Sequence, residues 1–113
     1  MKIIADKISI SELNKLSDEM FGDFVKAVVD VKKKIMAVGG ELHADEEALL
    51  IENGSEPGDL WGINIYPSLP PDGFIEFDSL INISPRRANR TRGVENAAIR
   101  QKINDIVGLL ISR

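Results

Sequence analysis

The run Trp61-Gly62-Ile63-Asn64-Ile65-Tyr66, followed after Pro67–Gly73 by Phe74-Ile75-Glu76-Phe77-Asp78-Ser79-Leu80-Ile81-Asn82-Ile83, decides the fold class. Apolar and polar residues alternate along both runs, as side chains that point to opposite faces of a strand require. Pro67, Pro70, Pro71, Asp72 and Gly73 interrupt the alternation with residues that favour turns. The two runs are therefore expected to pair as an antiparallel hairpin. On the second, Ile75, Phe77, Ile81 and Ile83 share one face, and Glu76, Asp78, Leu80 and Asn82 share the other.

Upstream, Val25, Ala27, Val29 and Val31 alternate with Lys26, Val28, Asp30 and Lys32, and their β-branched content favours a strand. Phe21, Phe24, Val25, Val28, Lys32 and Ile35 also fit a helical period, so the strand is the preferred of two readings. Residues 34–44 are expected as the return strand, with a bulge at Gly39-Gly40. Residues 47–52 fit either a helix starting near Asp45 or a buried strand, closed by Asn53-Gly54-Ser55.

Helices bracket this sheet. Ser9 and Glu12 have the spacing of a capping box, Ile10, Leu13, Leu16 and Met20 recur at helical spacing, and Gly22 supplies a stop. Asn96 caps a second helix whose apolar stripe is Ile99, Ile103, Ile106, Val107 and Leu110. The expected architecture is α+β: an antiparallel meander sheet of four to five strands, with the N- and C-terminal helices packed on one face. Residues 1–113 read as a single domain, since 113 residues suit one core and no linker or repeat divides them.

The formal net charge of −4 disfavours a general nucleic-acid coat, which needs a basic surface. No window has the apolar length of a membrane span, and no signal-peptide pattern opens the chain. The absence of cysteine excludes disulfides, a thiolate nucleophile and cysteine-ligated zinc, and makes a reducing cytoplasm the expected setting.

Charge is segregated. Residues 41–59 carry Glu41, Asp45, Glu46, Glu47, Glu52, Glu56 and Asp59 with no lysine or arginine, whereas residues 84–92 carry Arg86, Arg87, Arg90 and Arg92 with no acid. One account is that both stretches are solvated surface that attract each other. The sharper account is an anion site. Arg86, Arg87, Arg90 and Arg92 run into the start of the last helix, where free N–H groups and paired guanidinium hydrogen bonds both suit phosphate. No glycine-rich phosphate loop accompanies them, and no motif identifies a cofactor.

His43 is the only histidine. On a strand over 34–44, Glu41 and His43 share a face with Asp45 just beyond, and Asn64, Glu76 and Asp78 project towards the same side. His43, Glu76 and Asp78 are the candidate metal ligands, and His43, Asp45 and Asp78 the candidate catalytic residues, with a carboxylate orienting the imidazole as base. Ser79 is expected to pack inward rather than act as a nucleophile, and Trp61 to anchor the core.

Five runs carry a wider likeness: Val25-Lys26-Ala27-Val28-Val29-Asp30-Val31, Gly40-Glu41-Leu42-His43-Ala44-Asp45, Asp59-Leu60-Trp61-Gly62-Ile63-Asn64-Ile65-Tyr66-Pro67, Phe74-Ile75-Glu76-Phe77-Asp78-Ser79 and Asn89-Arg90-Thr91-Arg92-Gly93-Val94. Together they resemble a small prokaryotic family of short stand-alone proteins, classed as a domain of unknown function, over nearly the whole chain. The resemblance implies a cytosolic bacterial or archaeal protein and transfers no activity and no catalytic residue. The expected function is a small binding or interaction module, self-associating through exposed edge strands as a homo-oligomer and holding a small anionic ligand at the arginine segment. The alternative is a small metal- or phosphate-dependent hydrolase-like enzyme built on His43 and its carboxylates.

Overall fold

The computed structural model describes residues 1–113. In chain order the elements are β1 (Lys2–Ile4), β2 (Ile8–Ser9), α1 (Ile10–Glu19), β3 (Val25–Asp30), β4 (Ile35–Val38), α2 (His43–Glu52), β5 (Leu60–Ile65), α3 (Pro71–Phe74), β6 (Ile75–Glu76), α4 (Ala97–Leu110) and β7 (Ile111–Ser112). Single 3-10 turns lie at Pro57–Asp59, Leu80–Asn82 and Pro85–Arg87. No helix is long and apolar enough to cross a membrane.

The two outer helices begin where their caps predict. Ser9 Oγ accepts from the Glu12 N–H at 3.0 Å, and Asn96 Oδ1 accepts from the N–H groups of Ala98 and Ile99 at 2.9 and 3.1 Å. The reciprocal half of the capping box is absent because the Glu12 carboxylate pairs with Lys2 instead. Gly22, at φ 91°, lets its N–H reach back to the Ser17 carbonyl and end α1.

The α+β architecture holds, with a five-stranded antiparallel sheet in the order β1-β4-β3-β5-β6. β3 sits at its centre, and its alternation places Val25, Ala27 and Val29 on one face against α1 and α4. Leu13, Ile103, Ile106, Val107 and Leu110 cover them, each side chain contributing about 1.5–3 kcal/mol on full burial. A short parallel pair, β2 with β7, ties the start of α1 to the end of α4.

Several expectations need correction. β4 ends at Val38, not near residue 44, because Gly39 at φ 84° turns the chain out of the sheet. Residues 43–52 are the helix of the two alternatives, and it starts at His43. This helix, α2, crosses the second face and carries the chain from β4 to the far side of β3, so that step is a crossover and not part of a meander. Val28, Ala37, Leu50 and Leu60 form a separate small core beneath it. The fold thus has three layers, with the sheet in the middle.

The second hairpin strand also stops early. β6 is only Ile75–Glu76, and Asp78–Ile83 leaves the sheet. Gly62 explains where the lost pairing goes. Its N–H donates to Asn82 Oδ1 at 2.8 Å, and Asn82 Nδ2 donates to the Gly62 carbonyl at 2.9 Å. One fully buried carboxamide therefore does what a paired strand residue would do. Ser79 lies directly over Gly62, where an added Cβ would fall 2.6 Å from both the Ser79 Cβ and Oγ atoms.

Gly62→Ala should therefore cost about 1–3 kcal/mol, as overpacking against a fixed buried neighbour does. Urea unfolding monitored by Trp61 fluorescence measures it; a change below about 0.5 kcal/mol would show that the 79–82 turn yields freely.

Candidate functional site

Three neighbouring strands set the site. Lys26 of β3 is in register with Asn64 of β5, and Asn64 with Glu76 of β6. All three side chains rise from the second face, beside the small core that α2 covers. Phe24 and Tyr66 flank the row, their ring centroids 5.4 Å apart, and Phe21 stacks on Phe24 at 4.9 Å. The Lys26 ammonium lies 4.9 Å over the Phe21 ring and forms no ion pair.

His43, the first residue of α2, stands at the edge of this row. Its Nε2 is 2.8 Å from the Ile63 carbonyl oxygen. A carbonyl only accepts, so Nε2 carries the hydrogen and Nδ1 keeps a free lone pair, making no hydrogen bond within the chain. Burial holds the imidazole pKa below its ordinary value; the Ile63 carbonyl and Asp78 oppose that, whereas Lys26 and Arg92 reinforce it. The ring is thus neutral at neutral pH.

Asn64 donates through Nδ2 to Glu76 Oε1 at 2.8 Å, and the Tyr66 hydroxyl donates to the same oxygen at 3.2 Å. Burial and the Glu76 charge raise the Tyr66 pKa, keeping the phenol protonated as a donor. Asn64 is only 6% exposed, yet its Oδ1 has no hydrogen-bond partner. An orphaned buried acceptor of this kind is uncommon in folded proteins.

One turn along α2 from His43, Glu46 is fully buried. Its Oε2 accepts from the Gly40 N–H at 2.9 Å, and Oε1 has no partner. Burial pushes its pKa up to about 9, against the pull of the Gly40 N–H and of Lys26, so the carboxyl is uncharged at neutral pH. The chain approaches closely here: a Cβ on Gly40 would sit 2.7 Å from Glu46 Cγ.

The residues singled out in the sequence are only partly gathered. His43 and Asp78 are neighbours in charge, and Arg92 joins them, its Nε donating to Asp78 Oδ1 at 2.6 Å. Asp45 is exposed on the outer side of α2, lining a cavity with Met1, Gly40 and Glu41. Glu76 is engaged by Asn64 and Tyr66. No three acidic or histidine side chains are grouped to hold a metal ion, so His43, Glu76 and Asp78 are not brought together as a ligand set.

The arginines disperse. Arg87 stacks 3.6 Å over the Trp61 ring and donates to the carbonyls of Leu60 and Ile81 at 2.7 and 3.3 Å, which commits its guanidinium to the fold. Arg86 is exposed and faces Glu47 and Glu56 across a cavity of about 400 Å3, so the acidic and basic stretches do meet. Arg90 lies on a different cavity beside Ile83 and Asn89. At the start of α4, the N–H groups that an anion would use are taken by Asn96, and the Glu95 carboxylate already accepts from the N–H groups of Arg90 and Thr91. Arg86, Arg87, Arg90 and Arg92 do not converge there.

Sequence reasoning passed over Lys26, Glu46 and Asn82, and did not foresee that buried Asn82 and Asn89 hold the 77–96 segment. Asn89 Nδ2 donates to the carbonyls of Asn82, Thr91 and Gly93, and Asn89 Oδ1 accepts from the Glu95 N–H. The signal for Lys26 was present, since it sits opposite Asn64 in the alternation. Nothing in composition marks a buried glutamate.

Compared with known families, the chain matches the family model described as Protein of unknown function (DUF5674) over residues 2–110. No curated protein and no solved structure gives a match.

Glu46 yields a pH dependence with a definite sign. The folded chain keeps a proton that the unfolded chain releases above about pH 4.5, so stability falls as pH rises towards about 9. Glu46→Gln keeps the shape and removes the titration. Urea titrations at pH 6 and 8.5 should show the variant losing less stability than the parent over that interval; parallel losses would place the Glu46 carboxylate in an ionised state.

Proposed function

We propose, from the premise that the chain belongs to the family Protein of unknown function (DUF5674), that it is a binding domain for a small anion-bearing molecule seated on the uncovered row of the second sheet face. The observation that carries this reading is the His43 imidazole, neutral and fixed by the Ile63 carbonyl with Nδ1 unspent. Lys26 supplies a cation without a carboxylate partner. The first turn of α2 has no side-chain cap, which leaves backbone donors beside His43. The anion moves from the four-arginine segment to this row because the chain itself occupies the donors at the start of α4.

A hydrolytic reading rests on the same imidazole, since a neutral ring with a free Nδ1 suits a general base. It ranks second because no nucleophile faces it. Ser79 is 1% exposed and packs on Gly62, so the attacking group would have to be water.

Amide and imidazole 15N NMR during a titration with inorganic phosphate tests the binding reading. Saturable shifts are expected at His43, Ala44, Lys26 and Asn64, with the ring in the Nε2–H form, and Lys26→Ala should weaken binding. Shifts confined to residues 84–99, or none that saturate, would refute it.

A further inference from the structure

On the opposite side of the sheet, the C-terminal half of α4 faces β6 and α3 across a cavity of about 430 Å3. That is the size of a small-molecule site, within the range of about 300–1,000 Å3. Its floor is apolar, built from Phe74, Phe77, Val107 and Ile111, and its rim carries Asp72 and Arg113. None of these residues belongs to the His43 row.

Gly108 is the first sign that the cavity is meant to be occupied. It lies inside α4, on the cavity wall, with an ordinary negative φ, and a Cβ built on it would meet nothing within 4 Å. A glycine inside a helix weakens it relative to alanine. Here neither backbone conformation nor the packing of this chain requires one. What the missing side chain preserves is open space above the helix backbone.

The second sign is electrostatic. The chain forms two ion pairs, Lys2–Glu12 and Arg92–Asp78, so Asp72 and Arg113 share a rim without pairing with each other or with any other residue. The Arg113 guanidinium instead lies 4.9 Å over the Phe74 ring, at the edge of the apolar floor. A purely anionic occupant would leave Asp72 facing a like charge, and a purely cationic one would do the same to Arg113.

We propose that this cavity binds a free α-amino acid with a large apolar side chain. The side chain lies on Phe74, Phe77 and Val107 against the Gly108 backbone. Its carboxylate meets Arg113, and its ammonium meets Asp72. Each charge on the rim then has an opposite partner, and the apolar floor leaves water.

Isothermal titration of the protein with L-phenylalanine, 3-phenylpropanoate and 2-phenylethylamine separates the contributions. L-phenylalanine is expected to bind about tenfold or more tightly than either analogue, because each leaves one rim charge unanswered. Asp72→Asn should erase its advantage over 3-phenylpropanoate, and Arg113→Gln its advantage over 2-phenylethylamine. Gly108→Leu should abolish binding without lowering the melting temperature, which separates a filled cavity from an unfolded chain. Lys26→Ala should leave amino-acid binding unchanged, since the two sites share no residue. Equal binding of all three compounds, or no saturable binding of L-phenylalanine, L-leucine or L-methionine to the folded parent, would overturn the proposal.

Discussion

The paired hydrogen bonds between the Asn82 carboxamide and the Gly62 backbone hold the 77–96 segment against the edge of the sheet. Gly62 presents its N–H and carbonyl away from β3, on the side where β6 has already ended. Left bare inside the protein, those groups would each cost about 1–3 kcal/mol. Asn82 answers both with one side chain, and its second amide hydrogen bonds the Arg92 carbonyl. Asn89 then fixes Asn82 from behind through the Asn82 carbonyl. The segment from Phe77 to Asn96 is thereby anchored by side chains in place of a ladder. That substitution is what sets Asp78 and Arg92 beside His43 and lays Arg87 on Trp61.

The same constraint explains why the second face is divided. α2 spans only the end of the sheet where Val28, Ala37 and Leu60 provide apolar surface. Towards the other end the face turns polar at Lys26, Asn64 and Glu76 and aromatic at Phe24 and Tyr66. A helix laid over that end would have to satisfy or desolvate each of these groups. The chain instead begins α2 at His43, whose ring donates to the Ile63 carbonyl. The burial that neutralises His43 and Glu46 comes from the packed half, and the polar row comes from the open half.

Much of this was legible in the residues. Ser9 and Asn96 marked the two outer helices because a cap side chain acts locally, on N–H groups two or three residues away. The alternation of Trp61–Tyr66 and of Val25–Lys32 marked β5 and β3 because each strand has at least one apolar face to bury. The failures share a cause. Alternation continued past Glu76 through Asp78, Leu80 and Asn82, but Ser79 and Asn82 spend their side chains on backbone and turn the chain, which a periodic pattern does not register. Gly39-Gly40 looked like a bulge, whereas the positive φ of Gly39 ends the strand and the lack of a Cβ at Gly40 admits Glu46. The strand face expected to carry Glu41 and His43 does not form, since β4 ends at Val38 and His43 opens α2. The arginine run resembled an anion site because composition counts guanidinium groups without showing that Arg87 already serves three carbonyls of its own chain.

Native-state hydrogen exchange at the Gly62 amide, in the parent and in Asn82→Ala, tests the anchoring most directly. If the carboxamide stands in for a strand, the Gly62 N–H of the parent exchanges only through global unfolding, at the same opening free energy as the neighbouring Ile63 N–H. In Asn82→Ala, Gly62 should then exchange much faster than Ile63, which stays within the β3–β5 ladder. Rapid exchange of Gly62 in the parent, or equal protection of both amides in the variant, would contradict the account.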